Sequence, residues 1–245
     1  MKNFRLFFGL VTLSCFAIAC GPKGNTVETS DAQAAASAEN AKELLVNTDN
    51  SAVTWIGSKP AGKHNGIINI TGGEVSVSGN EIVAGNFTFD ITSLKSLDLE
   101  EGSENYVKLT GHLMSADFFD AENHPTASFE VTAVKPFNAQ ELMADQEQFE
   151  TENKPASLSE VMVENPTHFI SGNLTMRGTT KNITFPASVS MENGMIKAVA
   201  NFNINRTDWG LMYGDEASVA DKAKDKFIYN TVNVGFELEA GTGSM

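Results

Sequence analysis

Cysteine and basic residues are scarce in this sequence. Only two cysteines occur in 245 residues, and both lie among the first twenty, so no disulfide can hold the rest of the chain together. Lys and Arg total 17 against 31 Asp and Glu, which gives a formal net charge of −14. Because so acidic a surface repels phosphate backbones and no strongly basic patch stands apart, we predict no nucleic-acid partner.

The sequence also lacks the motifs of common catalytic and metal sites. It contains no Gly-x-Ser-x-Gly nucleophile elbow, no Cys-x-x-Cys and no His-Glu-x-x-His. The four histidines are not spaced as ligands on one helix or strand, which leaves distant loops as the only source of a metal site. We therefore predict a protein that is not an enzyme, with no catalytic residue, no metal and no cofactor.

The first twenty residues have the pattern of an export signal. A short basic start precedes an apolar run from Leu6 to Ala19, which is shorter than the roughly 20 residues that a bilayer span needs. Residues 17–21, Ala-Ile-Ala-Cys-Gly, resemble a bacterial lipobox. We predict a lipoprotein signal peptide over residues 1–19 and acylation of Cys20, with Cys15 as a second candidate. An ordinary secretory signal with an incidental cysteine is the alternative.

Residues 20–46 are mostly small and polar and contain no aromatic side chain. Such a segment buries too little apolar surface to offset its ordering entropy, so we predict a flexible tether. No acidic run follows Cys20 of the kind associated with surface export. The predicted location is therefore the periplasmic face of a bacterial outer membrane, where the acyl chains would anchor the protein in the cell envelope.

The remaining residues, 47–241, alternate between apolar and polar side chains. This period of two is clearest at Phe87, Phe89 and Ile91; at Phe129, Val131 and Ala133; at Ala198, Ala200, Phe202 and Ile204; and at Val232, Val234, Phe236 and Leu238. Strands with one wet and one dry face are usually antiparallel. Glu192-Asn193-Gly194 predicts a tight hairpin between residues 181–191 and 195–206. We predict a mainly β domain of about eight antiparallel strands, forming either a barrel or a sandwich.

Two segments depart from this alternation. Residues 103–115 predict a short helix, with Val107, Leu109, Leu113 and Met114 near one side. Residues 138–165 are acidic and contain Pro155, so we predict an inserted loop there.

Five strings together are similar to the YceI-like family of exported bacterial proteins. They are residues 53–57 (VTWIG), 63–66 (KHNG), 113–129 (from LMSADFFD to HPTASF), 172–181 (GNLTMRGTTK) and 205–210 (NRTDWG). The resemblance implies a lipocalin-like antiparallel barrel over residues 47–241. It also implies an elongated apolar cavity that holds a polyisoprenoid or another long-chain amphiphile. The alternative is that the same inward side chains fill a solid core.

Arg206 continues the apolar face of Ala198, Ala200, Phe202 and Ile204, so its side chain is predicted to point inward. Arg177 falls on the outer face and is interpreted as a turn-stabilising surface group. Arg206 either captures a lipid headgroup or stacks on Trp55 or Trp209 and pairs with an acid. His64 and His112 either line the ligand mouth or merely satisfy backbone carbonyls. The candidate ligand-binding residues are Trp55, His64, Phe87, Phe89, His112, Phe129, Phe202, Arg206 and Trp209.

The leading hypothesis is a non-enzymatic carrier of a long-chain isoprenoid lipid, such as a polyprenol derivative or a quinone-like lipid. A second hypothesis is an enzyme or redox accessory acting on a bound quinone-like lipid, which requires His64 or His112 beside an ionised acid. A third is an adhesion module that works through the acidic exterior and residues 138–165. The sequence leaves the oligomeric state open, a dimer included.

Overall fold

The structure is a computed structural model and describes residues 26–37, 40–142, 150–218 and 227–242. The signal peptide predicted over residues 1–19 and the candidate acylation sites Cys15 and Cys20 lie outside these ranges.

The described chain is mainly β. Its strands are β1 (Thr29–Ser30), β2 (Lys42–Val46), β3 (Ala52–Lys59), β4 (Gly62–Ser78), β5 (Glu81–Ser96), β6 (Thr126–Pro136), β7 (His168–Met176), β8 (Thr179–Glu192), β9 (Met195–Asn205) and β10 (Thr231–Gly241). Its α-helices are α1 (Glu104–Met114) and α2 (Leu158–Val161), and short 3-10 helices occur at Thr48–Asn50, Ala139–Glu141 and Arg206–Trp209.

Strands β3 to β10 form a closed antiparallel barrel of eight strands. Each strand pairs with the next along the chain, and β10 pairs with β3 to complete the ring. The registers keep the predicted apolar positions on one side, since Val234 of β10 lies opposite both Trp55 and Phe202. The prediction of a mainly β, lipocalin-like barrel with about eight strands is confirmed.

Two-residue turns join β7 to β8 and β8 to β9. Asn193 and Gly194 have φ values of 52° and 77°, and they connect β8 to β9. Arg177 and Gly178 connect β7 to β8 with φ values of 48° and 72°. Positive φ at both central positions is the type I′ geometry that matches the twist of a hairpin. The hairpin predicted around Asn193 is confirmed.

Helix α1 agrees with the helix predicted over residues 103–115, and the Ser103 hydroxyl accepts the Tyr106 N–H at 3.2 Å as an N-cap. The predicted apolar side is wrong at Val107, which is 60% exposed. The buried residue of the helix is Thr110. Val107 lies about 200° around the helix from Leu109, which faces the barrel interior, so Val107 points away from it.

The acidic insertion packs against the outside of the barrel in its second half. The Asn203 and Asn233 side-chain amides both donate to the Ala156 carbonyl at 3.0 Å, and the Asn153 amide donates to the Pro60 carbonyl at 2.9 Å. These contacts bury two asparagines on the outer face of β9 and β10. Residues 143–149 of the insertion lie outside the described ranges.

The flexible tether predicted over residues 20–46 differs from the structure from residue 26 onward. Val27 is buried, and its N–H donates to the Asn203 carbonyl at 2.8 Å. Strand β1 pairs with β8, where Thr29 lies opposite Ile183. Strand β2 pairs with both β4 and β10, and its Leu44 is buried. The tether prediction is therefore wrong for residues 26–30 and 42–46.

Unpaired edges of the barrel strands explain why residues 26–30 and 42–46 are ordered. Strands β8 and β9 pair only over Ser188–Glu192 and Met195–Val199, so the first half of β8 offers an unpaired edge that β1 fills. At the other end, β2 takes the place of β3 between β4 and β10. Unpaired edge groups that are buried are costly, and backbone hydrogen bonds to them stabilise a segment with few apolar side chains.

Adjacent leucines of β2 test this arrangement. Leu44 is 1% exposed and Leu45 is 57% exposed. We expect Leu44→Ala to lower the free energy of unfolding by about 2–4 kcal/mol, because it leaves a cavity in the core. Leu45→Ala should change it by less than about 0.5 kcal/mol. Urea denaturation of both variants measures the difference, and equal stability of the two would mean that residues 42–46 do not pack on the barrel.

Candidate ligand-binding site

The barrel encloses an elongated cavity of about 560 Å³. This volume lies within the range of about 300–1,000 Å³ that is usual for ligand pockets. Eight of the nine predicted ligand-binding residues line it: Trp55, His64, Phe87, Phe89, His112, Phe129, Phe202 and Arg206. Trp209 does not line it.

The cavity wall consists of the inward residues of all eight barrel strands and is mostly apolar. Small inward residues such as Ala84, Ala127 and Ala198 are interspersed with large ones, and the inward side chains leave the cavity between them. The solid-core alternative is therefore wrong for this barrel.

Five phenylalanines form a belt around the middle of the lumen. We call Phe87, Phe129, Phe185, Phe202 and Phe236 the phenylalanine belt. The Phe185 and Phe202 rings stack at 4.2 Å with an angle of 5° between their planes. The Phe129 ring lies 5.6 Å from that of Phe185 and 6.4 Å from that of Phe87, and Phe236 meets Phe185 edge-on at 5.7 Å. Such contacts fix the rings against the wall.

Gly172 makes room for one ring of this belt. A Cβ atom at Gly172 would overlap Cζ of Phe129. Because Gly172 shares the inward face of β7 with Ile170 and Leu174, the Phe129 ring occupies the gap on that wall instead of the lumen. The glycine thereby keeps the middle of the cavity open.

Sequence reasoning missed Phe185 and Phe236 as site residues. Phe236 belongs to an alternating segment that it had identified, and Ile183, Phe185 and Ala187 show the same period of two. Thr184 and Pro186 stand at the polar positions of this segment. Because proline is apolar, the alternation there is weak.

The two ends of the cavity differ in polarity. The apolar end is lined by Val75, Ile82, Ile196, Ala198 and Leu238. The polar end is lined by Lys59, His64, His112, Arg206 and Tyr213, together with leucines of α1. A long amphiphile therefore fits in one orientation, with its tail toward the apolar end.

Arg206 organises the polar end through backbone carbonyls. Its side chain is 3% exposed; Nε donates to the Tyr229 carbonyl at 3.1 Å and Nη2 to that of Ile228 at 3.0 Å. Nη1 donates to the Leu211 carbonyl. Burial lowers the pKa of Arg206 to about 10, against the opposing influence of Asp215 and Glu216, so it stays protonated at neutral pH.

The inward orientation predicted for Arg206 is confirmed, but the predicted stacking partner is wrong. Its guanidinium carbon lies 5.7 Å from the ring centre of Phe118, a residue of the loop after α1. Among the described residues, no carboxylate lies within ion-pair distance of Arg206. The Arg206 side chain thus connects the loops at the polar end to one another.

The structure corrects two further predictions for residues near the ends of β7 and β9. Trp209 is fully buried outside the cavity, and its indole N–H donates to the Leu174 carbonyl at 2.9 Å. Trp209 was a candidate because it lies in the family-like string 205–210, and the 3-10 helix at Arg206–Trp209 places it outside the lumen. Arg177 is more than a surface group, because it donates to the carbonyls of Ala116, Phe118 and Gly210.

His64 is held by Asp98 at the polar end. Its Nδ1 lies 2.7 Å from Asp98 Oδ2, and Oδ1 of the same carboxylate accepts the Asn65 N–H and the Ser96 hydroxyl at 2.9 Å each. Burial acts to raise the pKa of Asp98, but the hydrogen bonds from Asn65, His64 and Ser96 outweigh it and hold the pKa below its usual range. Asp98 therefore fixes the His64 ring and joins β4 to the end of β5.

His112 occupies a similar position on α1. Its Nε2 lies 3.4 Å from Asp117 Oδ2, and its ring packs edge-on against Tyr213 and Phe118 at 4.5 and 5.0 Å. The enzyme hypothesis required a histidine beside an acid, and both pairs meet that requirement. Each pair also holds part of the cavity wall in place, so a structural role explains each pair without catalysis.

Within the described ranges, no group of three or more His, Cys, Asp or Glu side chains is arranged to hold a metal ion. None of the helices described here is long and apolar enough to cross a membrane.

Comparison with known sequences identifies one family. The family profile described as YceI-like domain matches residues 45–240. UPF0312 proteins of Pseudomonas putida are similar in sequence: the protein of strain GB-1 is 33% identical and that of strain W619 is 32% identical, each over 114 residues. Each match covers 44% of this chain and 46% of the other protein. The aligned part of the chain thus spans about half the length of these curated relatives.

Two solved structures share the fold. BcnA from Burkholderia cenocepacia superposes with a TM-score of 0.54 at 18% identity, over 80% of this chain and 99% of that one. A polyisoprenoid binding domain from Saccharophagus degradans, implicated in plant cell wall breakdown, superposes with a TM-score of 0.52 at 14% identity. That match covers 83% of this chain and all of the other.

The hydrogen bonds to Asp98 predict a pH-dependent stability. Because its folded pKa is lower than in the unfolded chain, the carboxylate stabilises the fold above about pH 4, and this contribution disappears as the pH falls through the folded pKa. We expect Asp98→Asn to lower the free energy of unfolding by about 1 kcal/mol at pH 7 and by less at pH 3. Urea denaturation at the two pH values measures both effects.

Asp117→Asn is the matched control, because Asp117 is an exposed partner of the other histidine. Its effect at pH 7 should not exceed that of a surface ion pair, at most about 1 kcal/mol. A loss for Asp98→Asn that is the same at pH 3 and pH 7 would contradict the assignment.

Proposed function

Because this chain belongs to the YceI-like domain family, we propose that it is a non-enzymatic protein that binds or transports a long-chain isoprenoid or similar amphiphilic lipid in the bacterial envelope. The observation that carries this proposal is the elongated, mostly apolar cavity inside the closed barrel. A hollow lumen with one polar end matches the shape and polarity of a lipid with a single long tail.

The hydrophobic effect supplies enough free energy for such a complex. Each CH₂ group removed from water contributes about 0.8 kcal/mol, so a tail of 20 carbons would contribute on the order of 16 kcal/mol. Association itself costs an estimated 4–15 kcal/mol. A tail that fills the lumen can therefore offset this cost without any charged contact.

The geometry of the wall supports one orientation of the lipid. The tail would pass the phenylalanine belt toward Ile196 and Leu238, and the head would lie near His64, His112 and Arg206. Trp55, Phe87, Phe89, Phe129 and Phe202 would contact the tail or its junction with the head. The Saccharophagus degradans structural neighbour, by its name, binds a polyisoprenoid, and the same class of ligand suits this cavity.

The proposal includes attachment to the periplasmic face of the outer membrane through an acylated Cys20. The order of residues 26–30 on the barrel shortens the connection, because only residues 21–25 separate Cys20 from the first described residue. The six Cα-to-Cα steps from Cys20 to residue 26 span at most about 20 Å when fully extended. An acylated chain would then hold the barrel close to the bilayer from which its ligand comes.

Blocking the lumen should abolish lipid binding. Ala198 lines the apolar end, and the neighbouring Val199 points outward and is 37% exposed. We expect Ala198→Phe to reduce the amount of co-purifying lipid at least tenfold, because its ring occupies the space of the tail. Val199→Phe adds the same ring outside the barrel and should leave the lipid content unchanged. Organic extraction followed by mass spectrometry measures the lipid.

Thermal denaturation of Ala198→Phe confirms that the barrel still folds. A folded Ala198→Phe protein with the lipid content of the wild type would contradict binding in the lumen.

Removing the acylation site tests the location separately. We expect Cys20→Ser to move the protein from the outer-membrane fraction to the soluble periplasmic fraction, because the acyl chains provide the membrane anchor. Cys15→Ser is the control and should remain in the membrane. Cell fractionation, together with mass measurement of the mature N-terminal peptide, follows both variants. Unchanged membrane attachment of Cys20→Ser would contradict an acyl anchor at Cys20.

A further inference from the structure

The cavity contains a hydrogen-bond donor that the protein does not use. In the described part of the chain, two buried polar side-chain atoms have no hydrogen-bond partner: the indole nitrogen Nε1 of Trp55 and the hydroxyl oxygen of Ser58. An unmet buried donor costs free energy, so such an atom calls for an explanation. Trp55 lines the cavity, so a ligand bound in the cavity can supply the missing acceptor.

The local structure fixes the Trp55 ring on the lumen wall. On β3, Trp55 lies opposite Val234 of β10 and Gly66 of β4, and all three share the inward face. A Cβ atom at Gly66 would lie 2.5 Å from Cζ2 and 2.7 Å from Cε2 of the indole. The missing side chain therefore forms the slot in which the ring lies. Because Nε1 is bonded to Cε2, the slot also fixes the position of the N–H.

The charged neighbours of Trp55 do not compete for this role. Each guanidinium nitrogen of Arg206 already donates to a backbone carbonyl, and His64 is bound to Asp98. Ser58 also lines the cavity, and its buried hydroxyl is the second polar group there without a partner. Trp55 is thus a neutral N–H donor offered to the lumen, with the Ser58 hydroxyl three residues along the same strand.

We propose that Trp55 is a specificity-determining residue whose indole N–H donates to a neutral acceptor oxygen on the lipid, such as a ring carbonyl next to the isoprenoid tail. This inference rests on the proposed function and narrows its ligand to an isoprenoid lipid with an acceptor-bearing, uncharged head. A pure hydrocarbon would leave the N–H unmet.

The surroundings disfavour a phosphate head. Bound phosphates are usually held by several charged donors, whereas the Arg206 donors are largely committed to carbonyls. Carboxylates of Asp98 and Asp117 accompany the two histidines at the same end. A phosphate placed there would meet negative charge, which a carbonyl oxygen tolerates.

Two probes with equal tails test the proposal on the delipidated full chain: a benzoquinone with a 20-carbon prenyl tail, and the corresponding prenyl hydrocarbon without the ring. Trp55 is replaced by Phe, which keeps an aromatic wall, and separately by benzothienylalanine, which keeps the indole shape but has no N–H. We expect both replacements to weaken quinone binding about tenfold, which corresponds to one neutral hydrogen bond. Hydrocarbon binding to the benzothienylalanine protein should not change.

The second tryptophan provides an internal control. The sequence has two tryptophans, and the Trp209 N–H already donates to the Leu174 carbonyl. In a ¹H–¹⁵N spectrum, the Trp55 indole signal should move downfield when the quinone binds, while the Trp209 signal stays in place. The Trp55 signal should move less with the hydrocarbon.

The outcomes separate this inference from the proposed function. An equal loss of affinity for both probes in the benzothienylalanine protein, or no loss for either, would overturn the role of the Trp55 N–H and leave lipid binding intact. Tighter wild-type binding of a prenyl phosphate with the same tail than of the quinone would also overturn it. If the wild type binds none of the probes, the proposed function fails and the inference fails with it.

Discussion

The pairing of β10 with β3 closes the sheet, and alternate side chains of all eight strands then point into one lumen. The volume of those side chains then decides between a solid core and a cavity. Alanines at positions such as 84 and 198 and the missing side chain at Gly172 keep the lumen open, while the phenylalanine belt holds its large rings against the wall.

The two ends of the barrel are built differently. At the polar end, α1 and the loops around residues 116–119, 206–211 and 227–229 cover the lumen, and Arg206 and Arg177 donate to their carbonyls. Arginine suits this task because its several fixed donors can satisfy several loop carbonyls at once. At the apolar end, β2 completes the pairing between β4 and β10. The asymmetry gives the cavity a direction, and a directional cavity suits an amphiphile.

Local alternation carried most of what could be predicted. It identified the antiparallel strands and the inward side chains of Phe87, Phe129 and Phe202, because a period of two directly reports which face of a strand is dry. The choice of a barrel over a sandwich came from the resemblance to the YceI-like family, and the hairpin at Asn193 came from its turn residues. The family-like string 205–210 was misleading at Trp209, which a 3-10 helix places outside the lumen. Composition failed for residues 26–30 and 42–46, whose order comes from unpaired strand edges elsewhere in the barrel. The unused N–H of Trp55 is a property of three-dimensional packing and had no sequence signal.

A lipid held in the hollow lumen adds its mass to that of the protein. Native mass spectrometry of the protein released gently from its own envelope, before and after extraction with organic solvent, measures this mass. We expect one additional mass per chain, of an isoprenoid-type lipid, which the extraction removes while the barrel remains folded. A spectrum that contains only the mass of the mature polypeptide with its N-terminal modification, under conditions that preserve such complexes, would contradict it.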